Sequence, residues 1–348
     1  MIRDGKATFS LIGCGAVSKK HISAIKSFGL GEIVAVCDRD LSLAKQTGNV
    51  LGVPFFQDSK AMALEKPSDI ISVLTPSGDH VNQVLSLAGL ARNILVEKPL
   101  ALSVKDIDRM IEECTSTNTG LFVVKQNRCN RPIVKLREAI TSRRLGEIVL
   151  GTVRVRWSRD QSYFDKADWR GTINEDGGVL ANQAAHHVDM LLWMLGDVES
   201  VYSMSSTRLV DIEAEETSIV SIKFKSGALG MIEATTATRP KDLEGSISIL
   251  GSNGAVEVGG FSMNELKTWN FHDTLAEDDT VFSEWGMNPS KPVWNLGQYL
   301  SDVISAINGE NNFAVVGEFG RRSIEIIEAA RISQKTGSEV SLADIKLY

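Results

Sequence analysis

A glycine-rich turn near the start of the chain constrains the fold more than any other feature. The apolar run Phe9–Ile12 predicts a buried strand, the turn Gly13-Cys14-Gly15 follows, and Val17–Ile25 has the apolar spacing of a helix. A strand, a glycine turn and a helix N-terminus together present backbone N–H groups to a diphosphate. Ser18 stands where the G-x-G-x-x-G pattern has its third glycine. Because Gly-x-Gly alone is weak evidence, an ordinary strand–helix turn is an equal alternative at this point.

The second predicted strand ends at an acidic residue. Ile33–Cys37 is apolar, and Asp38 follows about 20 residues after the second glycine, where this motif has its ribose-binding acid. A carboxylate there accepts hydrogen bonds from the ribose hydroxyls and repels a 2′-phosphate, so NAD is favoured, although Arg39 would tolerate NADP. The alternative is a solvated acid that caps the next helix. The two strands together favour a dinucleotide-binding domain.

Composition limits the class of protein. The 348 residues are enough for two domains with cores of their own, and the net charge of −7 argues against binding to nucleic acid or anionic membrane. No apolar run has the length of a membrane-spanning helix, and the N-terminus lacks the apolar core of a signal peptide. The four cysteines have neither disulfide-framework nor zinc-site spacing. We therefore expect a cytoplasmic protein with reduced thiols and no metal site.

Residues 1–125 have the alternating pattern of an α/β domain. Such alternation predicts a Rossmann fold with a doubly wound parallel sheet, and binding groups at the carboxyl ends of the strands. The predicted strands are Ile33–Cys37, Ile70–Leu74, Ile94–Val96 and Leu121–Val124, after the first strand at the glycine turn. The predicted helices include Leu41–Val50, His80–Leu90 and Val104–Thr115.

Residues 126–348 have a different pattern, which predicts an α+β domain. Short alternating strands joined at 225–227 and 251–254 indicate a mainly antiparallel open sheet, and helices cover it. The predicted strands are Glu147–Trp157, Val198–Met204, Ser218–Phe224, Ala228–Thr235, Ser246–Leu250 and Ala255–Val258. Helices near Trp294–Asn308 and Glu318–Thr336 follow, and the acidic stretch 272–291 has no clear pattern.

Two places carry residues suited to acid–base chemistry. Lys98 ends a predicted central strand, and Pro99 restricts it to an extended conformation; an exposed strand-end lysine is the alternative. After Gly177-Gly178, helical spacing places Asn182, His186 and Asp189 on one face, and a histidine there could accept a hydroxyl proton. Gln183 and His187 form a competing pair on the adjacent face, and spacing alone does not choose between the two histidines.

A third cluster combines arginines with aromatic residues. Trp157–Phe164 and Trp169–Thr172 include Arg159, Tyr163 and Arg170, and Arg156 immediately precedes them. Arginine can bind carboxylates or phosphates bidentately, and aromatic rings can stack on a base or a sugar. A solvated loop with an oligomer contact is an alternative for each arginine.

These motifs together resemble the Gfo/Idh/MocA family of oxidoreductases over essentially the whole chain. The resemblance rests on GCGAVSKKH, TPSGDH, EKPL and GGVLANQAAHHVD, which occur in the family's order. Within the family, VVKQNR, the YFD loop, DWRGT, NQAAHHVD and LEGSISILG are similar to the WlbA-type UDP-N-acetylglucosaminuronate 3-dehydrogenases of bacterial surface-sugar synthesis.

The resemblance implies NAD-dependent oxidation of the C3 hydroxyl of a UDP-linked N-acetylhexuronic acid, with Lys98 and His186 as the catalytic residues. It implies a homodimer or homotetramer. This chain has Asn182 where many members have an aspartate; the departure fits the WlbA-type branch but removes one possible acid–base carboxylate. The implied cofactor contacts are Gly13, Gly15, Ala16, Val17, Asp38, Arg39, Thr75, Pro76, His80, Glu97, Lys98 and Gln126. The implied substrate contacts are Lys98, Arg156, Arg159, Tyr163, Trp169, Arg170, Asn182, Gln183 and His186.

Two other functions are consistent with the sequence. A family member that oxidises a free sugar or inositol would use the same lysine and histidine and ignore UDP. A non-catalytic NAD-dependent sensor would keep the fold without turnover, and the retention of both Lys98 and His186 weighs against it.

Overall fold

The computed structural model describes residues 2, 5–291, 293–310 and 316–347. The chain divides into two compact units, and each unit is discontinuous in sequence. The first comprises Met1–Gln126 and Ser290–Arg321, and the second comprises Asn127–Pro289 and Arg322–Tyr348.

The first unit contains a six-stranded sheet in which every neighbouring pair is parallel. The order β3-β2-β1-β4-β5-β6 reverses direction at β1, and this is the point where open α/β sheets bind ligands. The strands are β1 Ala7–Ile12, β2 Gly31–Cys37, β3 Phe55–Phe56, β4 Ile70–Val73, β5 Asn93–Val96 and β6 Gly120–Val123. The predicted doubly wound sheet is confirmed.

Five helices connect these strands. Each predicted helix is present, and α4 ends at Leu87, earlier than expected, because Ala88 leaves the helical conformation. The short strand β3 and the helix α3 were not predicted. The helices are α1 Ala16–Phe28, α2 Leu41–Leu51, α3 Ser59–Glu65, α4 His80–Leu87 and α5 Val104–Ser116.

The second unit contains an eight-stranded, mainly antiparallel sheet, as expected. Its order is β13-β12-β11-β7-β10-β9-β8-β14, and β7 and β10 form its one parallel pair among the described residues. The strands are β7 Ile148–Arg156, β8 Val198–Ser206, β9 Thr217–Phe224, β10 Leu229–Thr235, β11 Glu244–Gly251, β12 Gly254–Gly259, β13 Glu265–Phe271 and β14 Val340–Ser341.

The remaining helices follow in chain order. They are α6 Arg131–Thr141, α7 Gln161–Phe164, α8 Ala185–Leu195, α9 Val281–Trp285, α10 Trp294–Ile307 and α11 Gly317–Thr336. The helix α8 packs on β7 and β11, so Val153, Val155, Ile247 and Ile249 on that face are buried. Residues that alternate with them point to the opposite face of the sheet, where several apolar side chains are exposed.

The segment Ser290–Arg321 belongs to the first unit, whereas the sequence placed all of 126–348 in the second domain. The reason is that α10 packs on α1: the rings of Phe28 and Trp294 lie 5.7 Å apart, and a Cβ at Gly297 would lie 2.2 Å from the Phe28 ring. The buried Tyr299 hydroxyl also donates to the Val123 carbonyl oxygen at 2.6 Å, at the end of β6. These contacts make α10 part of the first core.

Within the described ranges, no helix combines the length and the apolar character that crossing a bilayer requires.

Candidate active site

Glycine is present at positions 13 and 15 of the first turn for different structural reasons. Gly13 has a φ of +96°, and a Cβ there would lie 2.7 Å from the Leu74 carbonyl oxygen. Gly15 has a φ of −76°, and a Cβ there would meet no protein atom within 4 Å. The fold itself therefore requires glycine at position 13, whereas the space beside Gly15 is open for a ligand.

The N-terminus of α1 is free to bind an anion. Gly15 provides no side-chain cap, and the first turn contains no acidic residue. In contrast, α2, α3 and α5 each have a capping side chain that accepts a hydrogen bond from a backbone N–H of the first turn. These capping residues are Asp40, Asp58 and Ser103 respectively. An uncapped helix N-terminus presents unsatisfied N–H groups and a positive dipole end, which suit a diphosphate. Ala16 and Val17 lie in this exposed first turn.

Ser18 replaces the third glycine of the motif without disturbing the turn. It is 1% exposed, and its hydroxyl donates to the Gly15 carbonyl oxygen at 2.7 Å. The departure from the motif is therefore accommodated by a hydrogen bond within the turn.

Asp38 lies at the end of β2, beside the glycine turn. One carboxylate oxygen accepts from the Cys14 N–H at 2.7 Å, and the other accepts from the Asp40 N–H at 2.9 Å. A carboxylate offers about four acceptor positions, so these bonds fix its orientation and leave room for ribose hydroxyls. The Arg39 side chain is exposed. The ribose contact of Asp38 stays a prediction.

Two further predicted cofactor contacts follow β4 and β6. The side-chain oxygens of Thr75 (Oγ1) and Gln126 (Oε1) are buried, and within the described part of the chain neither has a hydrogen-bond partner. Buried polar atoms in native proteins are nearly always paired, so these two oxygens indicate a missing polar partner. Pro76 follows Thr75 and precedes the turn Ser77–Asp79.

Two buried histidines hold the backbone on either side of Lys98. His21 of α1 lies 2.9 Å from the Glu97 carboxylate, which also accepts from the Lys98 N–H at 3.0 Å. The ring of His80 lies with Nδ1 2.8 Å from the Pro99 carbonyl oxygen and Nε2 3.0 Å from the Thr75 carbonyl oxygen. Burial lowers the pKa of His80, because it disfavours the charged imidazolium. Sequence analysis gave His21 no role, although a polar residue on the buried face of α1 was a signal.

In the second unit, the double glycine leads into one turn of π-helix, Val179–Gln183, rather than directly into α8. Gly178 has a φ of +77°, and a Cβ there would lie 2.3 Å from a carboxylate oxygen of Glu215. Burial raises the pKa of Glu215, whose carboxylate accepts from the Leu180 N–H at 3.4 Å. The π turn changes the expected single face, since its extra residue per turn rotates position 182 relative to α8.

Polar side chains of this π turn meet the aromatic loop. Gln183 Nε2 lies 2.8 Å from Asn182 Oδ1 and 3.2 Å from the Tyr163 hydroxyl. Asn182 Nδ2 in turn donates to the carboxylate of Asp176, which is 4% exposed. Three predicted substrate residues are therefore brought together, and Asp176 joins them although the sequence assigned it no role.

The structure gives a reason to distinguish the two histidines of α8. His187 is fully buried, its ring lies edge-on to Trp157 at 5.8 Å, and its Nε2 would be 2.9 Å from a Cβ at Gly245 of β11. His187 is thus packed against the sheet. His186 is 9% exposed. Asp189 forms a bidentate ion pair with Arg128, with both N–O distances at 2.8 Å.

Arg156 forms ion pairs with acids of the two neighbouring strands. Its guanidinium binds Glu233 bidentately at 2.6 and 2.7 Å and Glu244 at 2.9 Å, on the face of the sheet opposite α8. The alternation of side chains along β7 places it there, and the acids on β10 and β11 use its donors. These ion pairs join β7 to β10 and β11, and the substrate contact of Arg156 stays a prediction.

The other arginines of the aromatic loop lie around Tyr163. Arg159 lies 5.3 Å from the Tyr163 ring and pairs with Asp242 at 2.9 Å. Arg170 lies 4.2 Å from the Tyr163 ring and 4.6 Å from the ring of Trp169. The loop therefore carries its positive charge around one aromatic ring.

Comparison with known proteins identifies the family. Residues 7–125 match the family model "Oxidoreductase family, NAD-binding Rossmann fold", and residues 133–257 match the GFO/IDH/MocA C-terminal domain. The WlbA dehydrogenase of Chromobacterium violaceum, crystallised with NADH and UDP-GlcNAcA, is 37% identical with a TM-score of 0.91, and the match covers 98% of this chain and 97% of that chain. The chain belongs to the Gfo/Idh/MocA family.

Two more relatives are similar to this member of the Gfo/Idh/MocA family over nearly its whole length. The WlbA dehydrogenase of Bordetella pertussis, in complex with NADH and UDP-GlcNAcA, is 36% identical with a TM-score of 0.90, covering 98% of this chain and 99% of that one. The myo-inositol 2-dehydrogenase of Thermotoga maritima is 26% identical, covering 96% of this chain and 98% of the relative.

The predicted cofactor and enzyme class are confirmed: this family member is an NAD-dependent oxidoreductase, and its first unit is the NAD-binding domain. The residues fit the cofactor, because α1 is uncapped, the space at Gly15 is open, and the Thr75 and Gln126 oxygens lack partners within the described residues. Lys98 belongs to the first unit and His186 to the second. Within the described residues, no group of three or more His, Cys, Asp or Glu side chains could hold a metal ion.

Proposed function

We propose that this protein oxidises the C3 hydroxyl of UDP-N-acetylglucosaminuronate to the 3-keto sugar. The observation that carries the proposal is the 36–37% identity, over nearly the whole chain, to two dehydrogenases whose structures contain UDP-GlcNAcA. The pathway would be the synthesis of bacterial surface polysaccharides such as lipopolysaccharide, in the cytoplasm.

The proposed mechanism assigns proton handling to Lys98 and His186. NAD, when bound, supplies the hydride acceptor. Either the Lys98 amine or the His186 imidazole accepts the C3 hydroxyl proton, and the other stabilises the charge that develops on the oxygen. The two electrons of the C–H bond leave as hydride, so the alcohol becomes a ketone. Asn182 donates or accepts a hydrogen bond to the sugar without carrying charge.

The backbone around Lys98 supports this assignment. His21 and His80 hold the residues before and after it through Glu97 and the Pro99 carbonyl oxygen. A catalytic side chain works best when its own backbone is fixed by packing and hydrogen bonds. His21 is hydrogen-bonded to the Glu97 carboxylate and His80 to backbone carbonyl oxygens, so we assign both as positioning residues.

A second candidate is a dehydrogenase of a free sugar or inositol. It is favoured by the 26% identity, over 96% of this chain, to the myo-inositol 2-dehydrogenase of Thermotoga maritima. The lower identity places this candidate second.

The test measures thermal stabilisation of the NAD-loaded protein and NADH absorbance in the same samples. The ligands are UDP-N-acetylglucosaminuronate, UDP-N-acetylglucosamine, UDP and myo-inositol. We expect a melting shift and NADH formation with the first ligand only. Reduction of the product with borodeuteride, followed by NMR, locates the ketone, and deuterium at C3 is the expected result.

Other outcomes contradict the proposal in different ways. NADH formation with myo-inositol and no response to the nucleotide sugar would support the second candidate. A melting shift without NADH from any ligand would support a non-catalytic sensor.

A further inference from the structure

The row of side chains from Asp176 to Tyr163 has a fixed hydrogen-bond direction. A carboxylate only accepts, so Asn182 must present its NH2 group to Asp176. The carbonyl oxygen of Asn182 then faces Gln183, which must present its own NH2 group. That NH2 group also donates to the Tyr163 hydroxyl oxygen. Tyr163 therefore accepts within the row, and its own O–H is left to donate elsewhere.

The hydroxyl hydrogen of Tyr163 has no acceptor in the described part of the chain. Gln183 Nε2 is the one group there within hydrogen-bond distance of the hydroxyl oxygen, and it is a donor. An aspartate at position 182 would place its carboxylate against that of Asp176, and it would have no N–H group to donate to Asp176. The asparagine at this position is therefore a requirement of the row.

Arg170 packs over the aromatic ring that carries this hydroxyl. Its guanidinium carbon lies 4.2 Å from the Tyr163 ring centroid, and its Nε is buried without a hydrogen-bond partner among the described residues. Arg156 and Arg159 both form ion pairs, whereas Arg170 forms none with the residues that the structure describes. A partly buried guanidinium without an acid is costly, and a bound anion would remove that cost.

We propose that the Tyr163 hydroxyl and the Arg170 guanidinium bind one anionic group of the substrate, and that Asp176 is a positioning residue that keeps the Tyr163 hydroxyl in its donor orientation. The inference rests on the proposed function and names the subsite that recognises the nucleotide sugar. The uronate carboxylate and the diphosphate both offer the required negatively charged oxygens. The experiment distinguishes them.

The first measurement is a double-mutant cycle on Tyr163→Phe and Asp176→Asn. An asparagine at position 176 has the same shape as aspartate, but its NH2 group can donate a hydrogen bond to Asn182. The side-chain amides of Asn182 and Gln183 can then rotate by 180°, so that the Gln183 carbonyl oxygen accepts from the Tyr163 hydroxyl. We expect Tyr163→Phe to raise the KM for UDP-N-acetylglucosaminuronate about tenfold, as for the loss of one hydrogen bond to a charged group. Asp176→Asn should raise it severalfold alone and add nothing in the Tyr163→Phe background. The KM for NAD should stay unchanged in all three variants.

The second measurement identifies the anion. Arg170→Gln should weaken binding of UDP-N-acetylglucosaminuronate at least tenfold, and Lys166→Gln should not, because Lys166 is exposed and 6.0 Å from the same ring. If the anion is the carboxylate, Arg170→Gln leaves binding of UDP-N-acetylglucosamine unchanged. If it is the diphosphate, binding of UDP-N-acetylglucosamine and UDP is weakened equally.

The experiments distinguish a failure of the proposed function from a failure of the proposed subsite. A wild-type protein that forms no NADH from UDP-N-acetylglucosaminuronate contradicts the proposed function. An active wild type whose KM is unchanged in Tyr163→Phe, or whose affinity for every ligand is unchanged in Arg170→Gln, contradicts the subsite. Additive effects of Tyr163→Phe and Asp176→Asn would contradict the positioning role of Asp176.

Discussion

Single residues in this protein divide into those that the fold needs and those that a ligand needs. Gly13 and Gly15 are two positions apart in one turn, and only Gly13 has a positive φ and a backbone neighbour where its Cβ would be. The sequence motif treats both alike. The structure shows that the fold requires glycine at position 13 and leaves open space at Gly15, where we expect the cofactor to approach.

The two glycines should therefore respond differently to alanine. Gly15→Ala places a methyl group in open space with an allowed φ, so the melting temperature without NAD should stay within about one degree of wild type, and the Kd for NAD should rise at least tenfold. Gly13→Ala should destabilise the protein by about 1–3 kcal/mol, because its φ of +96° is strained for alanine. Calorimetry without NAD and titration with NAD measure both. A Gly15→Ala protein that binds NAD normally would show that the diphosphate does not approach this turn.

The sequence indicated which residues are candidates for the site better than it indicated which side chains surround them. Lys98 and the pair His186 and His187 stand out in short motifs, because a strand end and a helix start are local features; the choice of His186 came from the family resemblance, and both catalytic roles stay predictions. The ion pairs of Arg156 could not be predicted, because its partners Glu233 and Glu244 lie 77 and 88 positions away and only sheet register brings them together. Asp176 was overlooked for the related reason that its role depends on a π turn, which apolar periodicity does not reveal.

At the level of elements, one ion pair organises the acidic stretch that the sequence left without a pattern. Arg144 binds Asp278 bidentately at 2.8 Å, and Asp278 also accepts from Trp269 Nε1 and the Leu275 N–H, both at 2.7 Å. This carboxylate joins the turn before α9 to β13 and to the loop that follows α6. The acidic stretch is thus held by a network around a single side chain.

Asp278→Asn should lower the melting temperature by a few degrees, since the loss of a partly buried ion pair costs about 1–3 kcal/mol. The hydrogen-bonded Arg144 guanidinium holds the pKa of Asp278 well below its usual value of 3.8. A lowered pKa adds stability above the usual value, and this stability is lost as the pH falls through the lowered one. The difference between wild type and variant should therefore be full at neutral pH and should shrink at about pH 3 and below.

Urea unfolding at several pH values measures this effect. Asp279→Asn is the matched control, because Asp279 is the exposed neighbouring acid and should show no such difference. An equal effect of the two variants would contradict the network.

At the scale of the whole molecule, the face of the eight-stranded sheet opposite α8 carries several exposed apolar side chains. Sheet register places Leu229, Leu150 and Leu250 side by side across β10, β7 and β11, and Leu229 is 56% exposed. Ile219 and Met204 are paired on the neighbouring strands β9 and β8 and are also exposed. Exposed apolar side chains grouped on one face of a sheet often mark a protein interface.

We expect this face to join copies of the chain into the homodimer or homotetramer that the family resemblance implies. Leu229→Glu should convert the assembly to smaller species in analytical ultracentrifugation, because a buried, unpaired carboxylate opposes association. Leu64→Glu is the matched control, since Leu64 is a 67% exposed leucine of α3. Equal sedimentation of wild type and Leu229→Glu would place the interface elsewhere or show that the chain is monomeric.

The return of Ser290–Arg321 to the first unit has a consequence for how the chain is made. A ribosome releases residues in order, and a domain can close its core only when all of its parts have emerged. The helix α10, which covers Phe28 and places Tyr299 at the end of β6, emerges after nearly the whole second unit. The nascent NAD-binding unit therefore waits, with part of its core open, until about nine-tenths of the polypeptide has been synthesised. A fragment cut at the end of β6 would keep that opening permanently.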